Sequence, residues 1–507
     1  MFRRSRKVCR VLPVLPWVFG VCLAGEEPPS ESSALRGQAA AALRRGVAFF
    51  REAVAVEGGY LWQYSADLSR REGEEKAPRT RVWVQPPGTP SVGMAFLAAY
   101  AATQDRYYLE AVKDTAHCLV RGQLHSGGWG YSIDFDEAAR KAAAYREGGA
   151  PAGRDVTTLD DDTTQSAVRF LMHADRALGF KDAKVHEAVV YAWNRLLEAQ
   201  FPNGAWPQRF TRPPAAEDYP VRKASYPDQW PRTFPNVDYK LFYTLNDNVM
   251  ADMIDTLFEA GRIYGASDAP AGTAELAAKC RSAAERAGDF LLLAQMPEPQ
   301  PGWAQQYDVQ MHPVWARRFE PPAVSGGEAR GVLRTLLRMY RETGEGKYLE
   351  PIPKALAYYR RSRLPDGRLA RFYELGTNRP LYFTKDYRLT YDDSDVPTHY
   401  GFKVDDWTGP IAAEYERARA WSPEDLKRRA AERGINRRDG RSDNRARAEL
   451  ESAVRSIIDA QDERGRWVED GSLRAQGPGD DTRRVIRCAT FIHNVQTLSR
   501  YLGGRAD

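Results

Sequence analysis

One short signature recurs along this chain and limits its fold more than any other feature: a helical stretch followed by a turn carrying Gln, Gly and an aromatic residue. It reads Gly58-Gly59-Tyr60-Leu61-Trp62, then Gln123-Leu124-His125-Ser126-Gly127-Gly128-Trp129, then Gln200-Phe201-Pro202-Asn203-Gly204-Ala205-Trp206. A looser copy ends in Pro301-Gly302-Trp303 after Gln295. Arg363-Leu364-Pro365-Asp366-Gly367-Arg368 and Gln461-Asp462-Glu463-Arg464-Gly465-Arg466-Trp467 complete the series. A turn reused after successive helices means that one helical hairpin is repeated, each copy burying its apolar face against the next. The spacing is uneven: Gly302 to Gly367 spans 65 residues, Gly204 to Gly302 spans 98. Uneven spacing argues against an open solenoid and predicts an all-α fold, an α/α toroid or incomplete barrel of hairpins. Loops of variable length then gather at one rim, where an active-site cleft belongs.

Helical periodicity fits that reading. It predicts helices over Ser33–Ala55, Val92–Thr103, Tyr107–Gly122, Thr163–Leu178, Ala183–Ala199, Val249–Ile263, Thr273–Ala294, Glu328–Glu342, Leu349–Arg363 and Gly409–Ala420. A long irregular insertion occupies Thr211–Asp238, and strand-like pieces are confined to Val82–Val84 and Leu381–Lys385. After Trp421 a charged stretch, Glu424–Arg447, precedes two further apolar helices, Ala448–Ala460 and Arg483–Leu502. The expected organisation is therefore a leader over residues 1–24, a toroid over 33–421 and a helical extension over 422–507.

The leader shapes the charge balance. Arg3, Arg4, Arg6, Lys7 and Arg10 precede an apolar stretch, Val11–Leu23, and small residues at the expected cleavage point near Ala24, the pattern of an export signal. This predicts a secreted or periplasmic protein. The apolar stretch is too short for a stable membrane span. Without those five cations, 68 basic residues face 68 acidic ones, so the formal charge of +5 carries no nucleic-acid footprint. Cys118, Cys280 and Cys488 are odd in number and widely spaced, which fits buried small hydrophobes rather than a disulfide framework or a zinc site.

Four loop motifs carry chemistry. Thr157-Thr158-Leu159-Asp160-Asp161-Asp162-Thr163 stands at a helix start, where three consecutive carboxylates repel unless a cation or the helix terminus compensates. Capping by Asp161 or Asp162 is the plain alternative. Tyr243-Thr244-Leu245-Asn246-Asp247-Asn248 opens a helix one hairpin later. Two oxygen-rich clusters on equivalent rims can share a hard cation such as Ca²⁺. The third and fourth motifs, Met311–Pro322 and Leu369–Pro380, place Arg317 and Arg371 among aromatics. Guanidinium forks there suit bidentate binding of carboxylates, or simple pairing with Glu320 and Glu374.

Gly204-Ala205-Trp206-Pro207-Gln208, Leu245-Asn246-Asp247-Asn248, Pro313–Pro322 and Ala370-Arg371-Phe372-Tyr373 with Thr377-Asn378-Arg379-Pro380 together resemble polysaccharide lyase family 10. The likeness spans roughly residues 37–410. It implies an α/α-toroid pectate lyase that cleaves α-1,4-polygalacturonate by Ca²⁺-dependent anti-β-elimination, releasing unsaturated oligogalacturonides. Carried over, Asp160, Asp161 and Asp247 correspond to the calcium site and Arg371 to the catalytic base. Arg317 corresponds to a substrate-carboxylate ligand, with Asn378, Arg379 and Trp206 also on the substrate side. Asp161 stands where the family pattern has Asn, and the Thr211–Asp238 insertion and everything after Trp421 depart from it.

Other classes compete. The Gln-x-x-x-Gly-x-Trp turns also resemble triterpene cyclase repeats, but Leu159 stands where the Asp-x-Asp-Asp-Thr motif of those enzymes begins. An inverting glycoside hydrolase needs only two suitably placed carboxylates. A non-catalytic polysaccharide-binding toroid would leave the Arg371 and acidic motifs without a task. The sequence leaves methyl-ester tolerance, endo or exo action and oligomeric state open.

Overall fold

The structure is a computed structural model that describes residues 1, 31–150, 152–432 and 444–504. The expected leader and its cleavage point lie outside the described residues. So does the middle of the charged stretch after Trp421.

Fourteen helices are present among the described residues. Helix α1 (Glu31–Phe49) runs into a π-turn, and hairpins follow as α2 (Thr89–Thr103) with α3 (Arg106–Arg121) and, after a short α4 (Glu137–Ala142), α5 (Thr163–Ala177) with α6 (Ala183–Glu198). Next come α7 (Val249–Ile263) with α8 (Thr273–Leu293) and α9 (Ala329–Thr343) with α10 (Pro351–Arg361). The last are α11 (Thr408–Arg419), α12 (Pro423–Glu432), α13 (Asn444–Asp459) and α14 (Cys488–Leu502). Packing runs in series through α14, α2, α5, α7, α9 and α11, the inner layer of an α/α toroid. Helices α13, α1, α3, α6, α8 and α10 lie outside it. None of the described helices is long and apolar enough to cross a membrane.

The recurring turn has one mechanical job, repeated four times. An α-helix leaves its last four carbonyls without intrahelical donors. The indole N–H of Trp206 donates to the Leu196 carbonyl at the end of α6 (2.8 Å). Trp129 does the same to Leu119 of α3, Trp303 to Leu291 of α8 and Trp467 to Ile457 of α13. The Gln completes the joint. The Gln200 amide donates both to Gly204 O within its own turn and to Ala283 O on α8, one outer helix further round. Gln123 likewise reaches Ala188 of α6, and Gln461 reaches Ala42 of α1. Gly204 sits at φ +93°, and a Cβ there would lie 2.1 Å from the Arg286 carbonyl, so only glycine permits this approach of turn to helix.

The helices expected as an extension after Trp421 are built into the ring. Helix α13 packs on α1, and α14 packs on both α1 and α2. Phe491 stacks on Phe50 at 3.6 Å between ring centroids. The segment expected to be helical from Arg483 instead opens with a strand, Arg484–Arg487, because it pairs antiparallel with Gln63–Ser65. A second four-stranded sheet, built from Ala323–Ser325, Phe372–Glu374, Pro380–Phe383 and Leu389–Thr390, extends the strand content beyond the two pieces legible in sequence. That sheet carries a smaller apolar cluster around Trp315, Phe372, Phe383 and Phe402, and residues of the long insertion (Trp230, Phe234) pack on it.

Candidate active site

Two neighbouring inner helices begin with the same backbone device. Thr158-Leu159-Asp160-Asp161-Asp162 precedes α5, and Thr244-Leu245-Asn246-Asp247-Asn248 precedes α7. Asp161 and Asp247 both have φ of 51°, and Asp162 and Asn248 follow at 56° and 57°. Two consecutive non-glycine residues in the left-handed region cost of order 1–3 kcal/mol each, and such strain gathers at functional sites. Here it turns carboxylates toward one another: Asp160, Asp161 and Asp247 each offer an oxygen within 4.8 Å of the others. Asp162 turns away and pairs with Arg169 (3.1 Å).

The surroundings suit a hard cation. Partial burial and the neighbouring carboxylates push Asp161 up to about 6, and burial with Asp160 and Asp161 pushes Asp247 up to about 7. Side-chain amides hold the carboxylates in place: Gln208 donates to Asp160 Oδ1 (2.9 Å), Gln85 to Asp161 Oδ2 (2.9 Å) and Asn246 to Asp247 Oδ2 (2.6 Å). Tyr131 also donates to Asp160. The Oδ1 of Asn246 and the Oε1 of Gln208 are buried without a hydrogen-bond partner. The three converging carboxylates form an all-oxygen donor set of the kind Ca²⁺ takes, and the two amides beside them each keep a buried oxygen without a partner. The residues fit that ion.

Two arginines flank this cluster and share one aromatic ring. Arg317 is held by Glu320 in a bidentate pair (Nε to Oε2 2.8 Å, Nη2 to Oε1 2.6 Å), and that pairing raises its proton affinity. Its charge acts on both Asp161 and Asp247. Arg371 donates from Nε to Gly401 O (2.6 Å) and from Nη1 to Glu328 (3.2 Å). Its expected partner, Glu374, is instead occupied by Arg232, Thr377 and Tyr391. Tyr400 lies between the arginines, 5.8 Å from Arg317 and 4.8 Å from Arg371, and donates to Glu320. Arg371 and Asp247 line one cavity of about 510 Å³ together with Glu328, Arg330 and Lys403.

Three expected substrate contacts are placed elsewhere. Trp206 is fully buried and its indole caps α6, so no sugar reaches it. Asn378 spends its amide on Gln300, Tyr358 and Ser362, locking the turn after Phe372–Glu374. Arg379 stacks 3.4 Å over Tyr391. Neither Asn378 nor Arg379 lines the cavity holding Asp247 and Arg371. Conversely, the structure adds Arg209, which faces Asp160 at 3.6 Å, with Tyr131, Gln85 and Tyr400. Arg209 follows directly on the Gly204–Gln208 motif, which was its one sequence signal. Gln85 and Tyr400 come from distant loops with none.

No curated protein matches the sequence. Among solved structures, a family 10 polysaccharide lyase from Cellvibrio cellulosa, one form of it a mutant in complex with trigalacturonic acid, shares 20% identity at a TM-score of 0.44, covering 65% of this chain and 98% of its own. A cellobiose 2-epimerase from Bacillus thermoamylovorans shares 14% identity at a TM-score of 0.40, over 92% and 99% of the two chains. A D-mannose isomerase shares 13% at 0.38, over 94% and 99%. The family model described as pectic acid lyase matches residues 123–369, a segment that contains Asp160, Asp161, Asp247 and Arg317 and stops two residues before Arg371. Over that segment, just under half of its length, the chain is similar to the pectic acid lyase family.

Proposed function

We propose that this lyase cleaves α-1,4-linked polygalacturonate by anti-β-elimination with Ca²⁺ as cofactor. The observation that carries the reading is the juxtaposition of a three-carboxylate cluster with Arg317, whose charge acts on Asp161 and Asp247, and with Arg371, which shares a cavity with Asp247. The family 10 lyase from Cellvibrio cellulosa was captured with trigalacturonic acid, the class of substrate proposed here.

Elimination begins with loss of the proton at C5 of a uronate, α to its carboxylate. The electron pair becomes the C4–C5 double bond, the C4–O bond breaks, and the departing oxygen gains a proton. Asp160, Asp161 and Asp247 would hold Ca²⁺, which would supply positive charge against the carboxylate as negative charge develops. Arg317, fixed by Glu320, adds a directed guanidinium fork to that neutralisation. Arg371 takes the proton. A guanidinium, with a pKa above about 12, is already protonated, so Arg371 accepts the proton as the neutral guanidine, a form that desolvation and nearby charge of the same sign favour. Both arginines lie against the ring of Tyr400.

A second reading gives proton removal to Arg317, whose charge acts on both Asp161 and Asp247. Alanine variants of each, assayed on polygalacturonate with Ca²⁺ after thermal unfolding has established folding, separate the two. The base variant loses kcat by several orders of magnitude at nearly unchanged ligand affinity. The variant of the carboxylate ligand loses affinity and rate together. If both keep near-wild-type kcat, arginine-based elimination fails.

A further inference from the structure

Beyond Arg371 the cleft does not end. The cavity shared by Asp247 and Arg371 adjoins a second one of about 520 Å³ between α7 and α9, the two having Asn248, Ala251, Gly327, Arg330, Gly331 and Thr335 in common walls. Arg330, Arg334, Arg338 and Arg341 line that second cavity from a single face of α9, at helical spacings of four, four and three. Most of this charge is committed. Arg338 pairs with Asp255, Arg334 faces Glu414 at 3.7 Å, and in the first cavity Arg371 holds Glu328 while Lys403 holds Asp393 and Asp366.

Among the described residues Arg341 and Arg330 lack such a partner, and of the two only Arg330 lines the first cavity as well. It is exposed, it lines both cavities, and no hydrogen bond or ion pair engages its guanidinium among the described residues. Its position also runs against helix energetics: it stands in the first turn of α9, where the positive end of the helix dipole disfavours a cation. Deeper along the same face, the Nε of Arg338 and of Arg341 are buried without acceptors. A cation placed at the junction of two cavities, unneutralised and unhelpful to its helix, has its use in a ligand.

We propose that Arg330 binds the carboxylate of a uronate unit beyond the one that reacts at Arg371, extending the cleft into the space between α7 and α9. This rests on the lyase reading above, because that reading supplies the ligand class: an oligogalacturonide with one carboxylate per sugar. Arg330 touches neither the acidic cluster nor Arg317 and acts on affinity. Its contribution appears only for chains long enough to reach it. Neutral sugars gain nothing from it.

The test uses the full chain and Arg330→Ala with galacturonate oligomers from dimer to hexamer. It also uses calorimetric binding of trigalacturonate and hexagalacturonate in chelator, where no turnover occurs. Arg330 has no protein partner, so its removal orphans nothing and the melting temperature should stay put. The expected result is a KM raised about tenfold for the longer oligomers, as for loss of one charge-assisted contact, with kcat and the shortest reactive oligomer little changed. Arg330→Lys should recover part of it, and added salt should shrink the difference. An active wild type with identical KM values in Arg330→Ala at every length overturns the proposal while leaving the lyase reading intact. If the wild type does not cleave, the lyase reading fails. Binding then decides the subsite alone: weaker hexagalacturonate binding by Arg330→Ala supports it, and equal or absent binding in both proteins overturns it.

Discussion

Asp161 and Asp247 adopt the same left-handed backbone conformation, φ 51° in each, at the starts of adjacent inner helices, and so face each other across the cleft. The repeat built the pair by using one loop design twice.

The first prediction follows from their titration. Both acids are pushed up, to about 6 and about 7, so the metal-free native state holds protons that the unfolded chain has already released. The stabilisation is complete below the ordinary carboxylate range and is lost as pH rises through the folded values. Melting temperature in chelator should therefore decline between about pH 5 and 8. The rise on adding Ca²⁺ should grow over the same interval, because the ion competes with those protons. Activity should climb across that window too. A Ca²⁺-induced shift independent of pH would separate the ion from these carboxylates.

A second prediction concerns Trp206. Trp206→Phe removes the donor to Leu196 O inside the core and should cost about 1–3 kcal/mol in chemical denaturation. Turnover per folded molecule should be unchanged, because the indole touches no part of the cleft. A variant of normal stability with impaired KM would return Trp206 to the substrate.

The turn glycine gives a third. Gly204→Ala forces a Cβ against the Arg286 carbonyl at a φ that disfavours it. The expected loss exceeds about 1 kcal/mol, again without a specific effect on catalysis. An equal or higher melting temperature would contradict this account of the signature.

A fourth addresses the C-terminal residues. Phe491, Val495 and Leu498 of α14 are buried against α1 and α2. At about 1.5–3 kcal/mol for each such side chain, their loss consumes much of an ordinary domain's stability. A chain ending at Trp421 should lose the cooperative unfolding transition. Wild-type-like unfolding of that shorter chain would show that α13 and α14 are dispensable to the ring.

The repeated hairpin was legible because Gln, Gly and Trp perform one local job wherever they recur, and hydrophobic periodicity located most helices to within a few residues. Ring closure was not. Periodicity marks which face of α14 is apolar, but not that α1 and α2 cover it. In the cleft, the paired acidic motifs could be read because both lie at helix starts in consecutive hairpins. Arg371 was visible as a motif, but its partner Glu328 lies 43 residues upstream. Trp206 was misread for a chemical reason: an indole serves a sugar face and a protein core equally well, and only burial tells them apart.

The account stands most directly on the product. Full-length protein incubated with demethylated polygalacturonate and Ca²⁺ should generate oligogalacturonides with unsaturated, ultraviolet-absorbing ends. Chelation should stop the reaction, and restored Ca²⁺ should restart it. Cleavage that yields only saturated ends would contradict elimination and make the enzyme a hydrolase, and undiminished cleavage in excess chelator would remove the ion from the reaction.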